Sequence, residues 1–201
     1  MPPDNPGGFP PHNNPGAEVL TIGAPGDSSG SELPFGDVVP VYQQVYNSAG
    51  FPSGIDITQI AFTRVYTACS ALPNTIRTAN YALYLSRTRK LVDGLDTSNL
   101  AANRGSDRHL FASLLLSGNP GNNLTIQGAN YRYKPSEGNL LLEIQQTASH
   151  QVHGGGGGIF FDSRNGTAAG LFSRAMSVGA GYAGYGLVTV FSGSSIFGGL
   201  P

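Results

Sequence analysis

Apolar and polar side chains alternate with a period of two in many short stretches after residue 37, a pattern that predicts β-strands. Tyr81, Leu83 and Leu85 share one face of such a strand, and Leu140, Leu142 and Ile144 share the inward face of another. The predicted strands cover 38–46, 55–66, 81–85, 109–116, 124–129, 139–147, 159–164 and 185–191. Only 97–103 has a helical pattern. We therefore expect an all-β protein, an antiparallel β-sandwich of immunoglobulin-like or jelly-roll type, over residues 38–192.

The strand predicted over 55–66 changes phase along its length. Ile55 and Ile57 fall on one face, whereas Ile60 and Phe62 fall on the other. One extra residue near Gln59 would return all four side chains to a single buried face. The sequence therefore predicts a β-bulge at this point.

The first 37 residues have a different pattern. Residues 1–16 are rich in Pro, Gly and Asn and predict a flexible arm. A short apolar strand follows at 17–23, carried by Val19, Leu20, Thr21 and Ile22, and the polar, Gly-rich and Pro-rich stretch 24–37 predicts a linker. Residues 193–201 are expected to be a C-terminal tail. One isolated strand would thus stand between two flexible segments and either fold back or pair with another chain.

Composition narrows the classes of function. Gly and Pro contribute 29 and 14 of the 201 residues, charged residues are only 11%, and the formal net charge is −1. A chain without excess positive charge is a poor partner for nucleic acid, and no apolar run approaches the ~18 residues of a membrane span. The single Cys69 excludes an internal disulfide. Small uncharged side chains suit an extracellular surface that packs against copies of itself.

The motifs that resemble catalytic or cofactor sites lack the necessary context. The stretch 179–184 matches G-x-G-x-x-G, but a predicted strand follows it where a dinucleotide site needs a helix. We interpret it as a turn and expect no cofactor. Since no base, nucleophile and acid fall into a catalytic arrangement either, we expect no enzymatic activity.

Oxygen-bearing side chains on one predicted loop are the best candidates for a metal site. Oxygen ligands at short spacing suit Ca²⁺, although Asp and Asn also form turns and caps without a metal. The candidate ligands are Asp93, Asp96, Asn99 and Asp107.

Paired tyrosines are the candidates for a ligand platform. Aromatic faces at short spacing on strands can hold a glycan, and the same spacing is equally typical of core and edge tyrosines. These residues are Tyr131, Tyr133, Tyr182 and Tyr185.

Six stretches resemble the β domain of bacterial exported proteins of the PEP-CTERM type. They are YQQVY (42–46), IDITQIAF (55–62), YALYLS (81–86), NRGSD (103–107), YKPSEGNLLLEI (133–144) and GYGLVTVF (184–191). The resemblance implies an exported all-β domain and implies no activity. The first residues show no basic and apolar signal segment, so we expect the signal peptide to have been removed.

The N-terminal arm is similar in plan to donor-strand pilus subunits, in which a short strand completes the sheet of a neighbouring protomer. This resemblance leads us to expect a structural subunit of an extracellular bacterial fibre, assembled by donation of residues 17–23 to another copy. The alternative is a monomeric cell-surface β-sandwich that binds glycan or matrix.

Overall fold

The computed structural model describes residues 16–26, 29–65, 74–149, 158–164, 170–178 and 184–196. Within these residues two antiparallel sheets pack face to face without closing into a barrel, so the predicted all-β sandwich is confirmed. The strands are β1 (Ala17–Ile22), β2 (Ser29–Ser31), β3 (Val41–Tyr46), β4 (Gly54–Val65), β5 (Ile76–Thr88), β6 (His109–Gly118), β7 (Asn123–Tyr133), β8 (Asn139–Ser149), β9 (Phe160–Arg164), β10 (Phe172–Met176), β11 (Gly186–Leu187) and β12 (Thr189–Ile196). Three short 3₁₀ turns lie at Ser48–Gly50, Leu100–Asn103 and Pro135–Glu137.

The strand order shows how each sheet is built. The first sheet has the order β1-β12-β4-β9-β11, with β7 also paired to β4 and β2 to β9. The second sheet has the order β10-β3-β8-β5-β6. β1 is therefore an outer strand of the first sheet, while β8 lies at the centre of the second.

Aromatic side chains fill the space between the sheets. Phe35 lies within 5.5 Å, between ring centroids, of Phe62, Tyr81 and Phe161. The predicted inward sets are confirmed, because the side chains of 81, 83, 85, 140, 142 and 144 all belong to this buried core. Each aromatic ring buries a large apolar area, so these rings contribute a large share of the buried core.

The predicted bulge is present at Thr58. The pairing of β4 shifts between Ile57 and Gln59 against both neighbouring strands, which leaves Thr58 as the extra residue. On β12 the shift falls at Gly193, where an added Cβ would lie 1.8 Å from the carbonyl oxygen of Asp56. A glycine at this position thus allows the bulged strand to approach β12.

Several stretches differ from the sequence prediction. Residues 193–196, expected to belong to a C-terminal tail, form the end of β12. The presumed linker 24–37 is instead part of the domain, because β2 pairs with β9 and Phe35 is fully buried. The strand β10 has no alternating pattern, since all five of its residues are buried. Alternation identifies only strands with one face in solvent, so it could not reveal this one.

Candidate functional site

The N-terminal strand β1 is an edge strand rather than an isolated one. It pairs antiparallel with β12 of the same chain over six residue pairs, from Ala17 opposite Ser194 to Ile22 opposite Thr189. Its other edge has no strand beside it among the described residues. Such an edge presents unpaired backbone N–H and C=O groups to whatever approaches it.

The side chains of β1 contribute little to the core. Ile22 is 4% exposed and Leu20 packs partly against the core, but Val19 is 71% exposed. Thr21 is exposed as well. Leu20 and Ile22 thus lie on the inward face of β1 and Val19 on the outward face, because successive residues of a strand point to opposite faces.

The connection from β1 to the rest of the domain is short. β2 begins at Ser29, so residues 23–28 join a strand on β12 to a strand on β9. Gly23 and Gly26 both have positive φ angles, of 103° and 88°. Glycine adopts this conformation at little cost, which suits a sharp change of direction directly after β1.

The four candidate calcium ligands do not converge on one point. The Asp93 carboxylate accepts a hydrogen bond from the backbone of Gly184, over 2.7 Å. Asp96 accepts three hydrogen bonds from Ser98 and Asn99, an arrangement typical of a turn. Asp107 does not join them, because its carboxylate is paired with Arg87. Among the described residues no group of three or more His, Cys, Asp or Glu side chains could hold a metal ion, so the calcium prediction gains no support.

Two of the four candidate platform tyrosines are core residues. Tyr133 is fully buried and its hydroxyl donates to the Gly138 carbonyl, while Tyr131 is buried with its hydroxyl 2.7 Å from Asp107. Tyr185 lies under the guanidinium of Arg174, and residue 182 lies outside the described residues. The ring faces of 131 and 133 are thus unavailable as a glycan platform in this fold.

A cleft of about 490 Å³ lies where the end of β5, the segment before β6 and the 3₁₀ turn Pro135–Glu137 meet. We call it the charged cleft, because it is lined by the charged side chains of Arg87, Arg89, Lys90, Arg104, Asp107 and Glu137. Four of the eleven basic residues of the chain thus line one cleft.

One arginine holds the two carboxylates of the cleft in place. Arg87 pairs with Asp107 through its Nε, over 2.7 Å, and with Glu137 through its terminal Nη1. The Asp107 carboxylate also accepts from the Arg87 backbone and from Tyr131. Although partial burial by itself raises the pKa of Asp107, these hydrogen bonds outweigh burial and lower that pKa below its usual value.

The wall of the cleft is made by a close backbone contact. A Cβ on Gly105 would lie 1.8 Å from the carbonyl oxygen of Arg87. The glycine therefore allows the segment before β6 to pass against the end of β5, which places Arg104 and Asp107 beside Arg87.

A buried carboxylate supports this segment from below. Glu143 on β8 has a side chain that is 2% exposed, and it pairs with Arg104 and Arg108, each over 2.7 Å. Gln43 and Gln145 donate to it as well. Both arginines belong to the segment before β6, so the carboxylate fixes that segment onto the sheet.

The charged cleft was not predicted from the sequence. Its residues come from three stretches, near 87–90, 102–107 and 137, that only the fold brings together. The one sequence signal was the run Arg87-Thr88-Arg89-Lys90, which carries three basic residues in a chain that has eleven.

Compared with models of protein families, with curated proteins and with solved structures, the chain matches none of them. The resemblances to exported proteins and to pilus subunits therefore rest on the sequence stretches alone. Within the described residues, no helix has the length and apolar character needed to cross a membrane.

Proposed function

We propose that the protein is a structural subunit that assembles with copies of itself by exchange of β1. In this assembly β1 of one copy leaves its own β12 and pairs with β12 of the next copy. The observation that carries the proposal is the edge position of β1, which has a paired strand on one side only within the described part of the chain and is followed by a short connection. A head-to-tail exchange whose rotation does not close into a ring generates a filament.

Exchange of β1 costs no contacts, because the same contacts form in both states. The ladder between β1 and β12 and the burial of Ile22 are identical whether the two strands belong to one chain or to two. The balance between the monomer and the assembly is then set by protein concentration and by the conformation of residues 23–28. Low charge on the whole chain, with a net charge of −1, also keeps copies from repelling one another.

The extracellular location is part of the same proposal. The composition, rich in small uncharged residues, and the resemblance to bacterial exported domains support it. A monomeric binding module is the alternative. The charged cleft supports this alternative, because it is a concave site that a ligand could occupy.

A disulfide across the β1–β12 pair distinguishes exchange from fold-back. Val19 lies opposite Ser192, so Val19→Cys and Ser192→Cys, introduced with Cys69→Ser, would bridge within one chain or between chains according to which partner β1 has. We expect covalent ladders on non-reducing gels after oxidation of concentrated protein that has been refolded. The pair Thr63→Cys and Asn123→Cys, which joins β4 to β7, is the matched control and should bridge only within a chain. If both pairs give only monomers at every concentration, exchange does not occur.

A further inference from the structure

The charged cleft contains positive charge that its own carboxylates do not neutralise. Asp107 and Glu137 are both paired with Arg87, and Arg104 is paired with Glu143. Arg89 and Lys90, in contrast, form no ion pair with any described residue, and Lys90 has only a weaker electrostatic interaction with Asp96, beyond ion-pair distance. Two cationic groups thus line a concave site without an ion-pair partner among the described residues, in a chain whose net charge is −1.

The cleft also offers hydrogen-bond acceptors at the same place. Asp107 accepts from Arg87 and Tyr131, and Glu137 pairs with Arg87 and Lys134. Each carboxylate has about four lone-pair sites, so each keeps at least one for a further donor. Ser106 adds an exposed hydroxyl. Carboxylate oxygens accept hydrogen bonds from hydroxyl groups and repel a bare anion. The ligand that fits both features carries an acidic group for the cations and several hydroxyls for the carboxylates.

We propose that the charged cleft binds an acidic saccharide, one that contains a uronic acid. Arg89 and Lys90 hold the carboxylate of the sugar, and Asp107 and Glu137 accept hydrogen bonds from its hydroxyls. A volume of about 490 Å³ lies within the range of small-ligand sites, which is about 300–1,000 Å³. No aromatic residue lines the cleft among the described residues, so recognition depends on charge and hydrogen bonds rather than on stacking.

The carboxylates of the cleft and the segment that carries Arg104 are held in place before the ligand arrives, which favours binding. Arg87 fixes both carboxylates, and the buried Glu143 fixes the segment that carries Arg104. A preformed site loses less conformational entropy when it binds. This proposal does not depend on strand exchange, but a filament would present one cleft per copy and so raise the avidity for a polymeric saccharide.

Calorimetric titration of the full chain tests the proposal. The acidic probes are digalacturonate, dimannuronate and the hyaluronan disaccharide, and neutral galactobiose is the matched control for the first of them. We expect at least one acidic probe to bind, galactobiose to bind at least about tenfold more weakly, and the affinity to fall as sodium chloride is raised. Failure of all three acidic probes overturns the proposal, and so does equal binding of galactobiose.

Two variants locate the binding. Arg89→Gln with Lys90→Gln should weaken the acidic probe at least about tenfold and leave the melting temperature unchanged, because neither side chain pairs with a described residue. Arg132→Gln, on an exposed arginine that pairs with Asp56 away from the cleft, should leave the affinity unchanged. Equal loss in both variants would mean a diffuse charge effect. If inorganic sulfate binds as tightly as the acidic probe, the site holds any anion and the assignment to a saccharide is wrong.

Discussion

Gln43 on β3 and Glu143 on β8 lie opposite each other, and the Gln43 amide nitrogen donates to the Glu143 carboxylate over 2.6 Å. The oxygen of the same amide accepts from Asn103, in the 3₁₀ turn Leu100–Asn103. One amide thus links the centre of the second sheet to the segment that covers it. At this point the outer face of the sheet is polar yet buried, and these side chains satisfy one another's hydrogen bonds.

Glu143→Gln should destabilise the protein at neutral pH by about 1–3 kcal/mol, because Arg104 and Arg108 lose their anionic partner. The cost is below that of a fully buried pair, since both arginines are partly exposed. Urea unfolding at pH 7 measures it. Glu18→Gln, which removes the same charge from β1, is the matched control and should change stability by no more than about 0.5 kcal/mol.

The destabilisation caused by Glu143→Gln should shrink as the pH falls. Burial tends to raise the pKa of Glu143, but hydrogen bonds from Arg104, Gln43 and Arg108 outweigh it and lower that pKa below the usual value. A carboxylate with a lowered pKa stabilises the fold above its unfolded pKa of about 4.3, and this contribution disappears as the pH falls through the folded value. Urea unfolding of both proteins from pH 7 to pH 3 should show the two curves converging. A constant difference would contradict the role given to the ionised carboxylate.

Gly193→Ala should destabilise the first sheet by about 1–3 kcal/mol, because the added Cβ would lie 1.8 Å from the Asp56 carbonyl oxygen. The strands must separate at the bulge to admit it. Thermal unfolding measures the loss. Gly118→Ala is not a suitable control because its φ is positive, whereas Ser194→Ala, one residue along β12, introduces no new atom near the bulge and should be nearly neutral.

Phe35→Ala should cost about 3–5 kcal/mol, the usual penalty for removing a fully buried ring. The large value distinguishes the structure from the sequence prediction, in which Phe35 belongs to a linker and its loss would have little effect. Val38→Ala, on an exposed residue three positions later, provides the comparison. Denaturant unfolding of both variants tests the assignment, and two small effects of equal size would contradict the burial of Phe35.

Ile22→Asp should weaken the attachment of β1, whereas Val19→Asp should have little effect, since the first side chain is buried and the second is exposed. Full burial of an isoleucine contributes about 1.5–3 kcal/mol. If β1 is exchanged between copies, Ile22→Asp should also reduce the amount of assembled protein seen by light scattering. Equal effects of the two variants would show that β1 has a different orientation.

The sequence by itself determined that the fold is nearly all strand, and it determined which side chains of β5 and β8 face the core. Period-two alternation identified β5 and β8, and the phase change between Ile57 and Ile60 located the bulge at Thr58 to within one residue. These features are local. One face of such a strand meets water and the other meets the apolar core, so polar and apolar residues alternate along the chain. The buried strand β10 and the three-residue β2 lack that contrast and were missed.

Only the tertiary structure decided which distant residues meet. It placed Phe35 in the core, buried Tyr131 and Tyr133, and joined Arg87 to Glu137 across 50 positions of sequence. It also paired β1 with β12, although the sequence alone left that strand without a partner. The physical reason is that strand pairing, and the meeting of charged side chains in one cleft, depend on contacts between segments that are remote in sequence. Such contacts are stabilised by the packing of the whole chain, and no local pattern encodes them.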